Sequence, residues 1–314
     1  MINAIALALA PVFFVLVAGY LAGRLKVVDN RNVAGLNAFV MQFALPAALF
    51  LATASATQQQ LIEEAPLFAV LGGVMLGVHL AWFFAAKALW STSAADASMQ
   101  ALTIAFPNLA GVALPIAAAV IGPSGTVPVA VALAAGSIIV SPLSLIIVEM
   151  STAPDASRAR PAQIATAFRR ALTKPVVVAP ALGIVVSLSG LTVGPIVEAC
   201  LALLGHAAAG VALFLTGLVL SAQPLKIDWR IVVATFVADI ARPLLTGAVV
   251  LSLPLPAETV RIAILLAAMP SGFFGILFAV SYRLDSAAIG SMVTASTALS
   301  LLTLAIAIAL LFPG

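Results

Sequence analysis

From Ala97 to Val148 the chain runs for 52 residues without one charged side chain, and seven further charge-free stretches follow: 2–23, 32–62, 65–86, 175–197, 199–225, 262–282 and 286–314. Each can supply the ~20 apolar residues needed to cross a hydrocarbon layer. A chain that is 63% hydrophobic and 8% charged has too little polar surface for a water-soluble globule, so an integral membrane protein is expected. The 52-residue stretch must hold two spans, because "GPSGTVP" at 122–128 is a turn signal in its middle. One more span, roughly Trp229 to Leu253, carries Asp239 and Arg242. The expectation is all-α, with ten transmembrane helices; a barrel would need short alternating strands.

The first apolar run has no basic residue before it, so it is expected to be retained rather than cleaved as a signal peptide. The single cysteine, Cys200, excludes an intrachain disulfide, a haem-attachment motif and a thiolate metal cluster. The net charge of +3 gives no reason to expect nucleic acid, because its distribution follows topology. With ten spans, the loops after odd-numbered spans hold twelve of the fourteen basic residues, from Arg24 and Lys26 to Arg283. The opposite loops hold Arg261 with Glu63, Glu64 and Glu258. Positive residues favour the inner side, so both termini are expected outside a cell membrane, plasma or inner. Trp82, Trp90, Trp229, Tyr20 and Tyr282 fall near the inner ends of their spans, as interfacial anchors do.

The segment 151–174 divides the chain into 1–150 and 175–314, five spans each. Ile164, Ala167, Phe168, Ala171 and Leu172 share one helical face, which reads either as a helix lying on the membrane surface or as a basic linker that only sets orientation. The two halves show weak self-similarity at an offset of 163 to 164 residues: Pro11 and Gly19 fall on Pro175 and Gly183, "ALFL" at 48–51 recurs at 212–215, and Pro107 falls on Pro270. An odd number of spans per repeat makes the repeat inverted, an organisation typical of secondary transporters.

Within this repeat, "FPNLAGVALP" (106–115) and "MPSGFFGILFA" (269–279) match, each about ten residues into its span. Proline removes a backbone donor, and glycine permits irregular backbone and close approach. Broken helices are expected at both places, with Asn108 and Ser271 capping the restarts. Unpaired backbone at membrane depth must line a cavity or pack on protein. Two half-helix N-termini meeting there would attract an anion, with Asn108 and Ser271 supplying directional hydrogen bonds.

Asp239 and Arg242, three residues apart, share a helix face, and mutual pairing is the first expectation. Either they form a static ion pair, or Arg242 binds a substrate carboxylate while Asp239 responds to a coupling proton or cation. Asn37 and Gln42 could face the core or bond a neighbouring helix. His79 and His206 stand without ligand-spaced partners and read as packed histidines; no metal site, organic cofactor or catalytic constellation is expected, and enzymatic activity is disfavoured.

"APVFFVLVAGYLAGRLKVVD", "NAFVMQFALPAALF", "FPNLAGVALP" and "MPSGFFGILFAVSYRLD" together resemble the auxin efflux carrier family, in a bacterial branch that includes malonate and malate carriers. The resemblance implies two inverted five-helix repeats related to bile-acid and sodium/proton transporters. Spans 1, 2, 6 and 7 would be scaffold and homodimer interface; spans 3–5 and 8–10 would move. It places the substrate at the crossing of spans four and nine, with Pro107, Asn108, Gly111, Pro270, Ser271 and Gly272 at matching positions and Arg242-Pro243 resembling the basic residue and proline of the eighth span. Plant members carry asparagine in the ninth-span break, where this chain has "PSGFFG", and a long inner loop that is short here; both departures favour a small carboxylate such as malonate or malate over auxin. An exporter of weak acids on the same fold, or a membrane sensor that binds without transporting, remain the alternatives. The expected partners are a small organic anion, membrane lipid and a second copy of the chain.

Overall fold

A computed structural model describes residues 2–122, 125–152, 165–166, 169, 172–222, 228–284 and 286–313, and every regular element among them is helical. The surface helix expected at the linker falls largely on Ile164, Ala167, Phe168 and Ala171, outside the described residues. The first half contains α1 (Ile2–Arg24), α2 (Ala34–Phe39), α3 (Leu45–Ala54), the short α4 (Gln58–Glu63), α5 (Ala65–Trp90), α6 (Ala94–Ala105), α7 (Leu114–Val120), α8 (Thr126–Ala135) and α9 (Ser141–Thr152). The second contains α10 (Pro175–Leu188), α11 (Pro195–Ser221), α12 (Trp229–Phe236), α13 (Arg242–Leu251), α14 (Ala257–Ala267), α15 (Phe274–Ser281) and α16 (Ala287–Leu311).

Among the described residues, six continuous helical stretches are long and apolar enough to cross a membrane: Ala34–Ala54, Ala65–Trp90, Val127–Thr152, Pro195–Ser221, Trp229–Leu251 and Ala287–Leu311. Three of these six contain a widened π-turn, at Val40–Ala44, Gly136–Val140 and Val237–Ala241, and a fourth π-turn occupies Leu109–Ala113. Every one ends two residues before a proline, namely Pro46, Pro142, Pro243 and Pro115. Proline has no N–H to donate, and its ring collides with the carbonyl four residues back; a turn with one extra residue relieves the collision without ending the helix.

Small residues set the closest helix contacts. A Cβ on Gly19 would lie 2.0 Å from the Phe214 carbonyl oxygen, and one on Gly217 would lie 2.0 Å from the Leu16 carbonyl oxygen, so α1 and α11 touch backbone to backbone. The α3–α10 pair repeats this: a Cβ on Gly183 would lie 2.6 Å from the Phe50 carbonyl oxygen, and Thr53 Oγ1 donates to the Pro180 carbonyl at 3.1 Å. Glycine lets two helices approach to a distance that dispersion and weak polar contacts reward in lipid, where no hydrophobic force joins them.

Candidate functional site

Between α6 and α7, and between α14 and α15, the helix stops and the backbone extends. The two interruptions meet. Pro107 and Ser271 form an antiparallel bridge, in which the Asn108 N–H donates to the Pro270 carbonyl at 2.8 Å and the Gly272 N–H donates to the carbonyls of Phe106 at 2.9 Å and Thr103 at 3.1 Å. This register asks for the amides of residues 108 and 272, so the missing N–H of Pro107 costs nothing. Gly272 is required by distance: a Cβ there would sit 2.2 Å from the Phe106 carbonyl oxygen. Gly275 meets the same constraint in the next turn, where a Cβ would sit 1.8 Å from Thr103 Oγ1. The Phe106 ring stacks on Phe274, with centroids 4.7 Å apart and planes 8° from parallel.

Asn108 caps the restarted helix, its Oδ1 accepting from the Gly111 N–H at 3.0 Å. The residue is buried, and its Nδ2 has no partner among the described residues. Ser271 does not cap. It is held in the bridge, and α15 begins three residues later at Phe274 with no side-chain cap, beyond the short reach of a serine hydroxyl. The Ser271 N–H instead donates to Ser296 Oγ on α16 at 2.7 Å, while its own Oγ is buried without a partner among the described residues.

Arg242, 1% exposed, does not pair with Asp239 as their spacing predicts. Its Nε donates to the Ala267 carbonyl at 3.0 Å, and Nη1 and Nη2 donate to the carbonyls of Ile104 and Met269. The i, i+3 expectation assumes a regular helix, but the π-turn Val237–Ala241 contains Asp239 and ends just before Arg242, which changes the angular register between them. Asp239 turns to α16 instead: its Oδ1 accepts from Ser296 Oγ at 2.6 Å, and its Oδ2 is buried without a partner among the described residues.

The electrostatic outcome is asymmetric. The carbonyl ends of α6 and α14, which carry the negative ends of their helix dipoles, are tied together by one guanidinium. That guanidinium has five N–H groups and uses three. The amide ends that follow the breaks carry the positive dipole ends, and there the Asn108 amide and the Ser271 hydroxyl keep hydrogen-bonding capacity that no described residue takes up.

A cavity of about 440 Å³ lies between α3, α8, α11 and the chain just beyond Asn108, where Ala110 and Leu114 line it; Ser55 and Gln60 are among its few polar residues. Beside Arg242, by contrast, the space among Met75, Pro107 and Thr246 is about 10 Å³, roughly one water. Of these two spaces, only the one on the Ala110 side is large enough for an organic molecule.

Asn37 lies one layer away, its Nδ2 donating to the Leu277 carbonyl and to Ser281 Oγ, both at 3.0 Å, which ties α2 to α15. Gln42 is exposed on the outer face of its π-turn. His79 is fully buried, with neither ring nitrogen bonded to a described residue. No group of three His, Cys, Asp or Glu capable of holding a metal occurs among the described residues. Sequence alone does not single out Ser296; it is one of several hydroxyls on α16, and only the fold aims it at both Ser271 and Asp239.

The membrane transport protein family matches residues 4–308. The "Uncharacterized transporter YfdV" of Escherichia coli (strain K12) is 27% identical over 275 residues, 86% of each chain, and the protein of that name from Shigella flexneri matches equally. A Rhizobium meliloti (strain 1021) protein named "Putative malonate transporter" is 27% identical over 220 residues, 69% of this chain and 67% of that one. With six membrane-length apolar helices among its described residues, and matched over residues 4–308 by that family, the chain belongs to it: this is a multi-pass protein of the membrane transport protein family, the auxin efflux carrier group that its sequence resembles.

Proposed function

We propose that the chain is a secondary carrier of a small organic anion that works by alternating access around the crossing of its two interrupted helices. The observation that carries this reading is the bridge itself: the carbonyl ends of both breaks are neutralised by Arg242, and the amide ends keep unused donors at Asn108 and Ser271. An anion is what such an arrangement stabilises in a low-dielectric setting.

The architecture we infer is ten crossing segments: the six continuous ones, α1, the shorter α10, and the two interrupted pairs α6–α7 and α14–α15. Two inverted five-segment repeats are supported by the helix contacts. Gly19 on Phe214 and Leu16 on Gly217 in one pair, and Gly183 on Phe50 and Pro180 on Thr53 in the other, are all related by an offset of 164 residues with the partners exchanged. Spans 1, 2, 6 and 7 act as the scaffold and dimer face, and the interrupted spans move with spans 3, 5, 8 and 10. The apolar cavity is the route to the site from one side, and sliding of the moving unit opens the other.

Malonate is the first substrate to try, since a relative is named for it. The mainly aliphatic lining around Ala110 and Leu114 favours a second candidate, a weak monocarboxylic acid with an apolar body moved outward on the same fold. Purified protein in liposomes loaded with unlabelled malonate should take up labelled malonate by exchange. Binding without exchange would revive the sensor reading, exchange of phenylacetate but not malonate would favour the second candidate, and neither binding nor exchange across small organic acids would defeat the carrier reading.

A further inference from the structure

Resting on that carrier reading, we propose that Asp239 is a proton-binding site linked to the anion site through Ser296, so that the carrier moves one proton with its anion. The geometry is a continuous buried chain: Ser271 N–H to Ser296 Oγ at 2.7 Å, and Ser296 Oγ to Asp239 Oδ1 at 2.6 Å. At its far end the Asp239 Oδ2 has no partner among the described residues, and at its near end neither has the Ser271 Oγ. Asp239 is 2% exposed and Ser271 1%, and a buried carboxylate charge that lacks a bonded counter-charge is costly enough to seek one.

The groups around it narrow the occupant. Helices α6, α12, α13 and α16 pack against the π-turn that carries Asp239. Of these, α13 brings Arg242, whose hydrogen bonds go elsewhere. Helix α16 brings the hydroxyls of Ser296, Thr297 and Ser300 and no ionisable group. On α6 the acid is Asp96, which accepts from Ser93 in the first turn, and on α12 the base is Arg230, exposed at the start. A metal cation takes several oxygen ligands, and a proton needs only the one orphan oxygen.

The linkage follows from charge. While Asp239 is ionised, its negative charge lies two hydrogen bonds from the Ser271 amide and opposes an anion at the crossing. Protonation removes that opposition and leaves Arg242 uncompensated beside the site. Proton and anion therefore raise each other's affinity by the same factor. A proton taken up from one side with the anion leaves on the other when the anion does.

The test uses the full chain in liposomes with labelled malonate. Exchange at equal pH reads the carrier function alone. An imposed gradient, acidic outside, should drive net accumulation by the native protein, up to about tenfold per pH unit for one coupled proton. Asp239→Asn should still exchange and should lose the gradient-driven accumulation; malonate's own titration is common to both proteins. In weakly buffered detergent solution, adding malonate to the native protein should draw protons from the medium, and Ser296→Ala should weaken that uptake. Accumulation by Asp239→Asn that still follows the pH gradient, accumulation driven by sodium in place of protons, or no proton uptake by the native protein would each overturn the proposal. Absence of exchange at equal pH would instead defeat the malonate reading, and this coupling with it.

Discussion

The backbone N–H of Asn108 donates to the Pro270 carbonyl at 2.8 Å, and this bond joins two segments that lie 162 positions apart in the chain. Each partner comes from a break in its own helix. A carbonyl freed by one interruption accepts an amide freed by the other, so each repairs a fault that would cost several kcal/mol alone in hydrocarbon. The crossing is thus a mutual solution, and neither interruption is tolerable without its counterpart.

Gly272→Ala tests that interdependence. A methyl group 2.2 Å from the Phe106 carbonyl oxygen has only backbone to push against, so the bridge must open and its hydrogen bonds lengthen or break. With net values of ~1 kcal/mol per bond, the expected loss is about 2 kcal/mol, seen as a lowered melting temperature in detergent, together with loss of malonate exchange. An unchanged melting temperature would mean the two segments are not locked as described.

Arg242→Lys should be nearly as damaging as Arg242→Ala. Three carbonyls accept from three different nitrogens of one planar group, and an ammonium on a flexible stem cannot span them. Keeping the charge therefore rescues little, and each orphaned carbonyl adds a penalty of about 1 kcal/mol or more. Thermal unfolding of both variants, beside the native protein, gives the comparison. Full stability in the lysine variant would show that charge alone matters at this position.

Away from the crossing, Glu64 offers a pH test on the surface. Burial raises its pKa from 4.5, and the neighbouring Glu258 and Glu63 raise it further. Its ionised form is thus disfavoured in the fold, and the native state holds a proton that the unfolded chain has released. Stability should fall as pH rises from about 4.5 through the raised folded value, and should stay lower above it. Glu64→Gln should flatten that region of the profile, measured as melting temperature against pH; an unchanged slope would mean the acid cluster is not felt by the fold.

Much of this crossing is legible in the chain itself, because proline followed by a small polar residue and glycine leaves few helical options, and because the pattern occurs twice at one offset. The π-turns are only half legible: each precedes one of the prolines at 46, 115, 142 and 243, yet Pro11 and Pro180 sit inside helices that have no such turn. What escapes is whatever depends on them. A pairing of Asp239 with Arg242 presumes 3.6 residues per turn, and one widened turn defeats it. Ser296 cannot be told from its neighbours on α16 by sequence, since hydroxyls in lipid commonly bond their own helix four residues back, as Ser291 and Thr294 do here. The expected cap at Ser271 fails because a cap needs the helix to start at once, and two residues, Gly272 and Phe273, intervene.

Asn108→Ala and Ser271→Ala form the discriminating pair. Both residues are buried at the crossing, yet only Asn108 carries a structural bond through its side chain, its Oδ1 holding the Gly111 amide at 3.0 Å. Removing that cap should cost about 1 kcal/mol, so any loss of malonate exchange in Asn108→Ala mixes stability with contact. The Ser271 hydroxyl bonds nothing among the described residues, and Ser271→Ala keeps the backbone amide that Ser296 accepts from. Its melting temperature should stay within the range of a neutral change, about 0.5 kcal/mol. A fall in malonate exchange of severalfold in that stable variant would then report a hydroxyl that meets the passing anion, whereas unimpaired exchange would remove Ser271 from the site and leave the Asn108 amide and the helix ends to hold it.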